Sequence, residues 1–137
     1  MREIKFRGKR KDNGEWVYGY LFILQERYCI VSKEGRFRDN EYGHFNLDGV
    51  FEVLPETVGQ FTELKDKNGK EIYEGDIISW LGKEVEDGKQ IFPKRIWEVE
   101  YDFDRLSRIR NVISQTGTAE VIGNVYESPE LLEEKEK

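Results

Sequence analysis

The stretch "EWVYGYLFIL" constrains this chain more than any other part of it. Trp16, Tyr18, Tyr20 and Phe22 fall on one face of an extended strand, and Val17, Gly19, Leu21 and Ile23 fall on the other. Both faces therefore want burial. A strand apolar on two sides belongs in the middle of a layered structure, or one of its faces meets another subunit.

Around it the period is again two. In "REIKFRGKRK", Ile4 and Phe6 alternate with Lys5 and Arg7, and "KDNGE" places Asn13–Gly14 at the centre of a tight hairpin, because both residues tolerate positive φ. "RYCIVSK" reads as the returning strand, turning at Glu34–Gly35, and 36–49 read as a polar loop. "VFEVLP" is a short strand halted by Pro55, and "TVGQFTEL" another, broken at Gly59.

Asn68–Gly69 in "LKDKNGKEIY" specifies a second tight hairpin. Glu74–Gly75–Asp76 then supplies a further reversal, which the Asp76 carboxylate can pin by accepting nearby backbone N–H groups, before the apolar strand "IISWLG". A charged loop is expected over 83–94. "WEVEYDFD" alternates once more: Trp97, Val99, Tyr101 and Phe103 on one side; Glu98, Glu100, Asp102 and Asp104 on the other. Like-charged neighbours on a strand face lie ~7 Å apart and repel. A hairpin turning at Arg105 or Leu106 would bring Arg108 and Arg110 opposite them, so 95–126 is expected to be ladder-paired strands. Gly123 in the last strand suggests a bulge or a close backbone approach. "SPELLEE" reads as a short helix over 127–135, with Ser128 capping and Pro129 in the first turn.

Together these elements predict a single, mainly β domain over 1–137, built of twisted antiparallel hairpins closing into a small barrel, with a short C-terminal helix. Two blocks, "ELKDKNGKEIYEGDII" and "EVIGNVYESPELL", with "IKFRGK" ahead of the Trp-containing strand, resemble the YopX family of phage and prophage proteins. Members usually carry "TGLKDKNG" where this chain has "FTELKDKNG", and an alanine–tryptophan pair at Gly8–Lys9; these departures touch turn and packing residues only. The resemblance implies a small β protein of phage or prophage origin, without an established biochemical role and without family catalytic residues. It also implies homo-oligomerisation.

Chemistry is sparse. Cys29 is the only cysteine and His44 the only histidine, so no disulfide and no cysteine-pair zinc site can form, and a Cys29–His44 nucleophile is weaker than a core reading of Cys29. The carboxylate pairs Asp102/Asp104, Glu74/Asp76 and Asp39/Glu41 have no histidine beside them, and no phosphate-loop motif is present. No enzyme activity, cofactor or metal is expected. No apolar run reaches the ~20 residues of a membrane span. A soluble protein in the cytoplasm of a bacterial host is expected, with no membrane partner.

Residues 1–11 carry a net charge of +5, which leaves −11 on the rest of a chain whose total is −6. The expected function is that of a self-associating, non-enzymatic accessory protein with a further host or phage protein as partner. Two alternatives accompany it. Lys5, Arg7, Lys9, Trp16 and Tyr18 form a candidate surface for single-stranded nucleic acid. The stripe Glu98, Glu100, Asp102 and Asp104 could mimic phosphates and block a host DNA-binding protein.

Overall fold

Backbone hydrogen bonding turns most of this alternation into strands. In the computed structural model, which describes residues 4–39 and 45–136, the chain runs through β1 (Phe6–Lys9), β2 (Trp16–Leu24), β3 (Arg27–Asp39), β4 (Phe45–Glu52), β5 (Gly59–Lys65), β6 (Glu71–Tyr73), β7 (Asp76–Leu81), β8 (Glu84–Glu86), β9 (Lys89–Ile91), β10 (Lys94–Glu98), α1 (Phe103–Thr116) and β11 (Glu120–Asn124). Two 3-10 helices, Pro55–Thr57 and Pro129–Glu136, complete the order, the second where the sequence places a short helix. The chain is mainly β and its ladders are antiparallel. The strands do not close into a barrel: each sheet is open, with two edge strands. The chain divides into two compact units, Met1–Phe61 and Thr62–Lys137.

In the first unit the strands lie in the order β4-β3-β2-β1-β5. The hairpin expected to centre on Asn13–Gly14 turns instead over residues 11–14: Gly14 takes φ of 75°, Asn13 does not enter the positive-φ region, and its Oδ1 accepts the Glu15 N–H at 2.9 Å. One face of β2 turns inward. Gly19 is buried against β3, where a Cβ would fall 1.9 Å from the Val31 carbonyl oxygen. Leu21 stands opposite Ile30, which is fully buried, and Val53 packs so tightly on Gly8 that a Cβ there would lie 2.9 Å from its own. The turn expected at Glu34–Gly35 is instead a register shift within β3, between Val31 and Arg36. Beyond it, 36–39 pair with 45–48 of β4, so most of the expected loop is hairpin. The alternation of Phe37 with Arg36 and Arg38 is the period-two signal that the polar composition obscured.

The second unit holds the sheet β10-β7-β11, the β8–β9 ribbon, and β6 beside the continuation of β5 past Phe61. Its buried cluster joins Ile72, Ile78, Trp80, Val99, Ala119 and Val121 to Ile109 of α1, with Leu106, Val112 and Ile113 packed against it. Here the expectation for 95–126 is overturned. The chain leaves the ladder at Glu98 and enters a helix at Phe103. Asp102 caps it, its side chain accepting the Arg105 N–H at 3.2 Å, and Gly117 ends it in the left-handed region with its N–H on the Ile113 carbonyl. Leu106, Ile109, Val112 and Ile113 recur at helical spacing, and burial of that stripe outweighs the shorter alternation ahead of it. The expected loop over 83–94 is also structured. Asp87–Gly88, both at positive φ, turns β8 into β9, as Asp–Gly pairs favour.

The motif "LKDKNGKEIYEGD" is held by two buried carboxylates. Asp66 Oδ1 accepts the N–H groups of Asn68 and Lys70, both at 2.9 Å, while Oδ2 accepts that of Val121 in β11 at 3.0 Å. Asp76 Oδ2 accepts the Tyr73 N–H at 2.8 Å, the pinning that the sequence predicts. Gly75, at φ of 93°, donates to the Val99 carbonyl and accepts from Val125. The expected irregularity at Gly123 is present as a register shift between Val121 and Gly123, and Leu131 approaches so closely that a Cβ would lie 2.9 Å from its Cδ1.

Burial alone would push the Asp66 carboxyl up. The N–H bonds from Val121, Lys70 and Asn68, with the charge of Lys70, outweigh it and hold the carboxyl below its ordinary value. A lowered carboxyl stabilises the fold above the unfolded-state value of ~3.9, and that contribution is lost as pH falls through the still lower folded value. Asp66→Ala is expected to cost about 3 kcal/mol in urea denaturation at pH 7, and Asp66→Asn less, because one oxygen still accepts. The difference between wild type and Asp66→Asn should shrink as the pH is lowered below ~4. An Asp66→Ala midpoint equal to wild type would contradict this role.

Candidate functional site

The register of β1 on β2 gathers the residues singled out near the N-terminus. Arg7 stands opposite Tyr18 and Lys9 opposite Trp16, so the four share one face of the ladder. The Arg7 guanidinium lies 4.7 Å from the Trp16 ring centroid and the residue is only 5% exposed. Lys5 precedes β1 and sets its ammonium 5.1 Å from the Phe61 ring. Arg10 lies 4.3 Å from the Phe51 ring and forks onto Asp12, with bonds of 2.9 and 2.6 Å. Three cations of the basic segment, Lys5, Arg7 and Arg10, therefore lie over aromatic rings, a contact that tolerates partial desolvation, while Lys11 pairs with Glu52 at 3.3 Å.

The same face of β2 continues past Tyr18 through Tyr20, Phe22 and Leu24. Tyr18 is 45% exposed, Tyr20 61% and Leu24 58%. Across the β2–β3 ladder, Val31 stands opposite Tyr20 and Cys29 opposite Phe22, both partly buried. The result is a largely apolar wall facing solvent, with Arg7 and Lys9 at its β1 end and with Arg27 opposite Leu24 and Glu52 opposite Cys29 on the same face. Leu24 and Val31 were not singled out from the sequence; the parity of Tyr20 and the register of the hairpin identify them. Burial, and then the charge of Glu52, push the Cys29 thiol up, opposing thiolate formation at neutral pH. His44 and Glu41 lie outside the described residues.

The acidic residues are not brought into one row. Glu98 ends β10 in register with Ile77, Glu100 follows the strand, Asp102 caps α1 and Asp104 sits in its first turn. The guanidinium that meets Glu100 is that of Arg105, at 3.9 Å, while Arg108 and Arg110 ride exposed on the helix. Burial, then the charges of Glu100 and Glu74, raise the Glu98 carboxyl against the opposing pull of Arg105. The expected cross-hairpin neutralisation is absent because the hairpin is a helix. Among the described residues no three His, Cys, Asp or Glu side chains converge in a metal-binding group. Nor is any described helix long and apolar enough to cross a membrane.

The family model described as "YopX protein" matches residues 5–133. No curated protein sequence matches the chain. Among solved structures, the crystal structure of protein EF1440 from Enterococcus faecalis is similar, with a TM-score of 0.52 and 22% identity over 96% of this chain and 99% of that one. At that identity the likeness shows the fold alone.

The Arg7–Trp16 contact can be measured by a double-mutant cycle with Arg7→Gln and Trp16→Leu. A coupling of about 1 kcal/mol is expected from a partly desolvated cation over an indole. Strict additivity of the two substitutions would contradict the contact.

Proposed function

The chain belongs to the YopX family, and from that premise we propose that it is a non-enzymatic accessory protein that acts by binding, with a second copy of itself as its first partner. The phage or prophage origin that the resemblance implies supports work in the cytoplasm of a bacterial host as part of this proposal.

One observation carries this reading: the outward face of β2 is apolar and uncovered. A sheet interior needs only one wall of β2, and Gly19, Leu21 and Ile30 supply it. The opposite wall of Tyr18, Tyr20, Phe22, Leu24 and Val31 has no role in that interior, and contiguous exposed apolar surface of this kind marks interaction sites. Tyrosine suits such a face because its ring adds apolar area at little entropic cost while its hydroxyl remains satisfied at a wet rim. A flat strand face can meet its own image about a two-fold axis, which makes a second copy the simplest cover. The charge split of +5 against −11 favours the same partner, since each copy offers both signs.

Nucleic-acid binding through Lys5, Arg7, Lys9, Trp16 and Tyr18 would require Arg7 to leave the Trp16 ring, which argues for the apolar wall as the working surface. Inhibition of a host DNA-binding protein by an acidic row has no supporting geometry, because Glu98, Glu100, Asp102 and Asp104 are dispersed over a strand end, a connection and a helix start.

Light scattering at micromolar concentration is expected to give a mass above that of one chain. Tyr20→Glu combined with Leu24→Glu should weaken association about tenfold or more while leaving the circular dichroism spectrum unchanged, since both side chains point to solvent in one copy. A strictly monomeric wild type, or a double variant of unaltered mass, would remove the self-association.

A further inference from the structure

In the second unit the β8–β9 ribbon continues the β7–β10 hairpin. The register that sets Lys94 opposite Leu81 runs on through the Gly82–Pro93 bond of 2.7 Å to Glu84 opposite Ile91 and Glu86 opposite Lys89. Residues two apart share a face, so Leu81, Lys83 and Val85 stand with Lys94, Phe92 and Gln90. The opposite face carries Trp80, which enters the core, and Arg95, which is ion-paired with Glu84 beyond Gly82. Past Leu81 a two-stranded arm therefore leaves the sheet, and its first face is open: Val85 is 75% exposed and Phe92 56%.

The arm also has an unpaired edge. Because Gly82 donates to Pro93, the alternation of an antiparallel ladder turns the N–H and C=O of Lys83 and Val85 away from β9. Two residues back along that edge the Leu81 N–H donates to Thr118 Oγ1 at 2.9 Å, and there the cover ends. Among the described residues no strand pairs with β8 on this side. A hollow of about 460 Å³ opens here instead, lined by Leu81, Lys83, Gln90 and Phe92 and by Gln115 and Thr116 from the end of α1. Lys83 is its one charged lining residue and has no ion-pair partner among the described residues.

We propose that the β8 edge takes up an extended segment of a partner protein as an added antiparallel strand, with an apolar side chain opposite Val85 and, two residues later, a carboxylate opposite Lys83. Main-chain bonds to the outward groups of Lys83 and Val85 supply the affinity, and alternate side chains supply the selectivity. Both recognised side chains of the segment fall on the face of Phe92 and Leu81, because residues two apart on the added strand share a face. An ammonium beside apolar surface, in a chain of net charge −6, selects an acid at that position. A second copy of β8 is the poorer occupant. The two-fold register centred on Val85 sets Glu84 against Glu86 twice, and like charges directly opposite each other repel. The β2 wall lies in the other unit, so this surface stands independently of self-association.

The test titrates the full, isotope-labelled chain with the capped peptide acetyl-Thr-Val-Thr-Val-Thr-Glu-Thr-amide and follows the amide shifts. Saturable changes are expected at Lys83, Val85 and Phe92, with none along β2. The same peptide with glutamine for glutamate, or the Lys83→Glu variant with the original peptide, should bind about threefold or more weakly. Val85→Pro removes an outward donor without removing a β8–β9 bond. It should weaken binding about tenfold or more while the amide shifts of β7 and β10 stay in place. The assignment is overturned if millimolar peptide shifts none of these amides, or if Val85→Pro or Lys83→Glu binds as the wild type does. It is equally overturned if the same amides shift when the chain is concentrated without peptide, which would make a second copy the occupant.

Discussion

The first unit depends on one nine-residue strand that has no polar side. Because β2 lies between β1 and β3, its main chain is satisfied on both edges, and only its faces remain to be placed. One face is filled by close approach: Gly19 lets β3 come in, Ile30 stands opposite Leu21, and Val53 rests on Gly8. Nothing of equal apolarity covers the other face among the described residues. Sheet chemistry alone would have permitted Ser, Thr or Lys at Tyr20 and Leu24. Large apolar groups there make sense when the face is buried in an assembly.

The second unit is organised differently, by carboxylates rather than by a strand. Asp66 ties its own turn to β11, and Asp76 closes the reversal between β6 and β7. An ionised carboxylate accepts several N–H groups at once, and charge-assisted bonds of this kind are about twice as strong as neutral ones. Asp66 therefore fixes where β11 lies, which in turn places Ala119 and Val121 in the cluster that α1 covers. Of the acidic residues that first suggest chemistry, Asp76 and Asp102 each accept a backbone N–H. The open β8 edge begins where this framework ends, at the bond from Leu81 to Thr118.

Much of this was legible in the residues, for local reasons. The first hairpin turned where Gly14 allows, because positive φ is a property of glycine itself, although the loop spans 11–14 rather than centring on Asn13–Gly14. Asp76 and Gly123 behaved as their neighbourhoods required. The helix was not read, although its signals were present: Asp102 as a cap, Gly117 as a stop, and apolar residues at 106, 109, 112 and 113. The alternation through Trp97, Val99, Tyr101 and Phe103 was longer and cleaner, yet of these four only Trp97 lies in a strand, and Phe103 already begins the helix, exposed. Period two over a few residues cannot by itself say where a strand stops. The same limit separated the two candidate surfaces. Lys9, Arg7, Trp16 and Tyr18 came together because one continuous ladder sets their register, whereas the acidic row dissolved because its ladder ended at Glu98. The β8 edge carries no motif at all; Lys83 and Val85 face outward only because the β7–β10 register runs on through Gly82 and Pro93.

The central claim is that the outward wall of β2 is covered by the same wall of another copy. Cross-saturation transfer in a mixture of deuterated, amide-labelled chains and unlabelled protonated chains addresses it residue by residue. Attenuation is expected to concentrate at the amides of Tyr18, Tyr20, Leu24 and Val31. Attenuation confined to the second unit, or none anywhere at concentrations where the mass exceeds one chain, would contradict it.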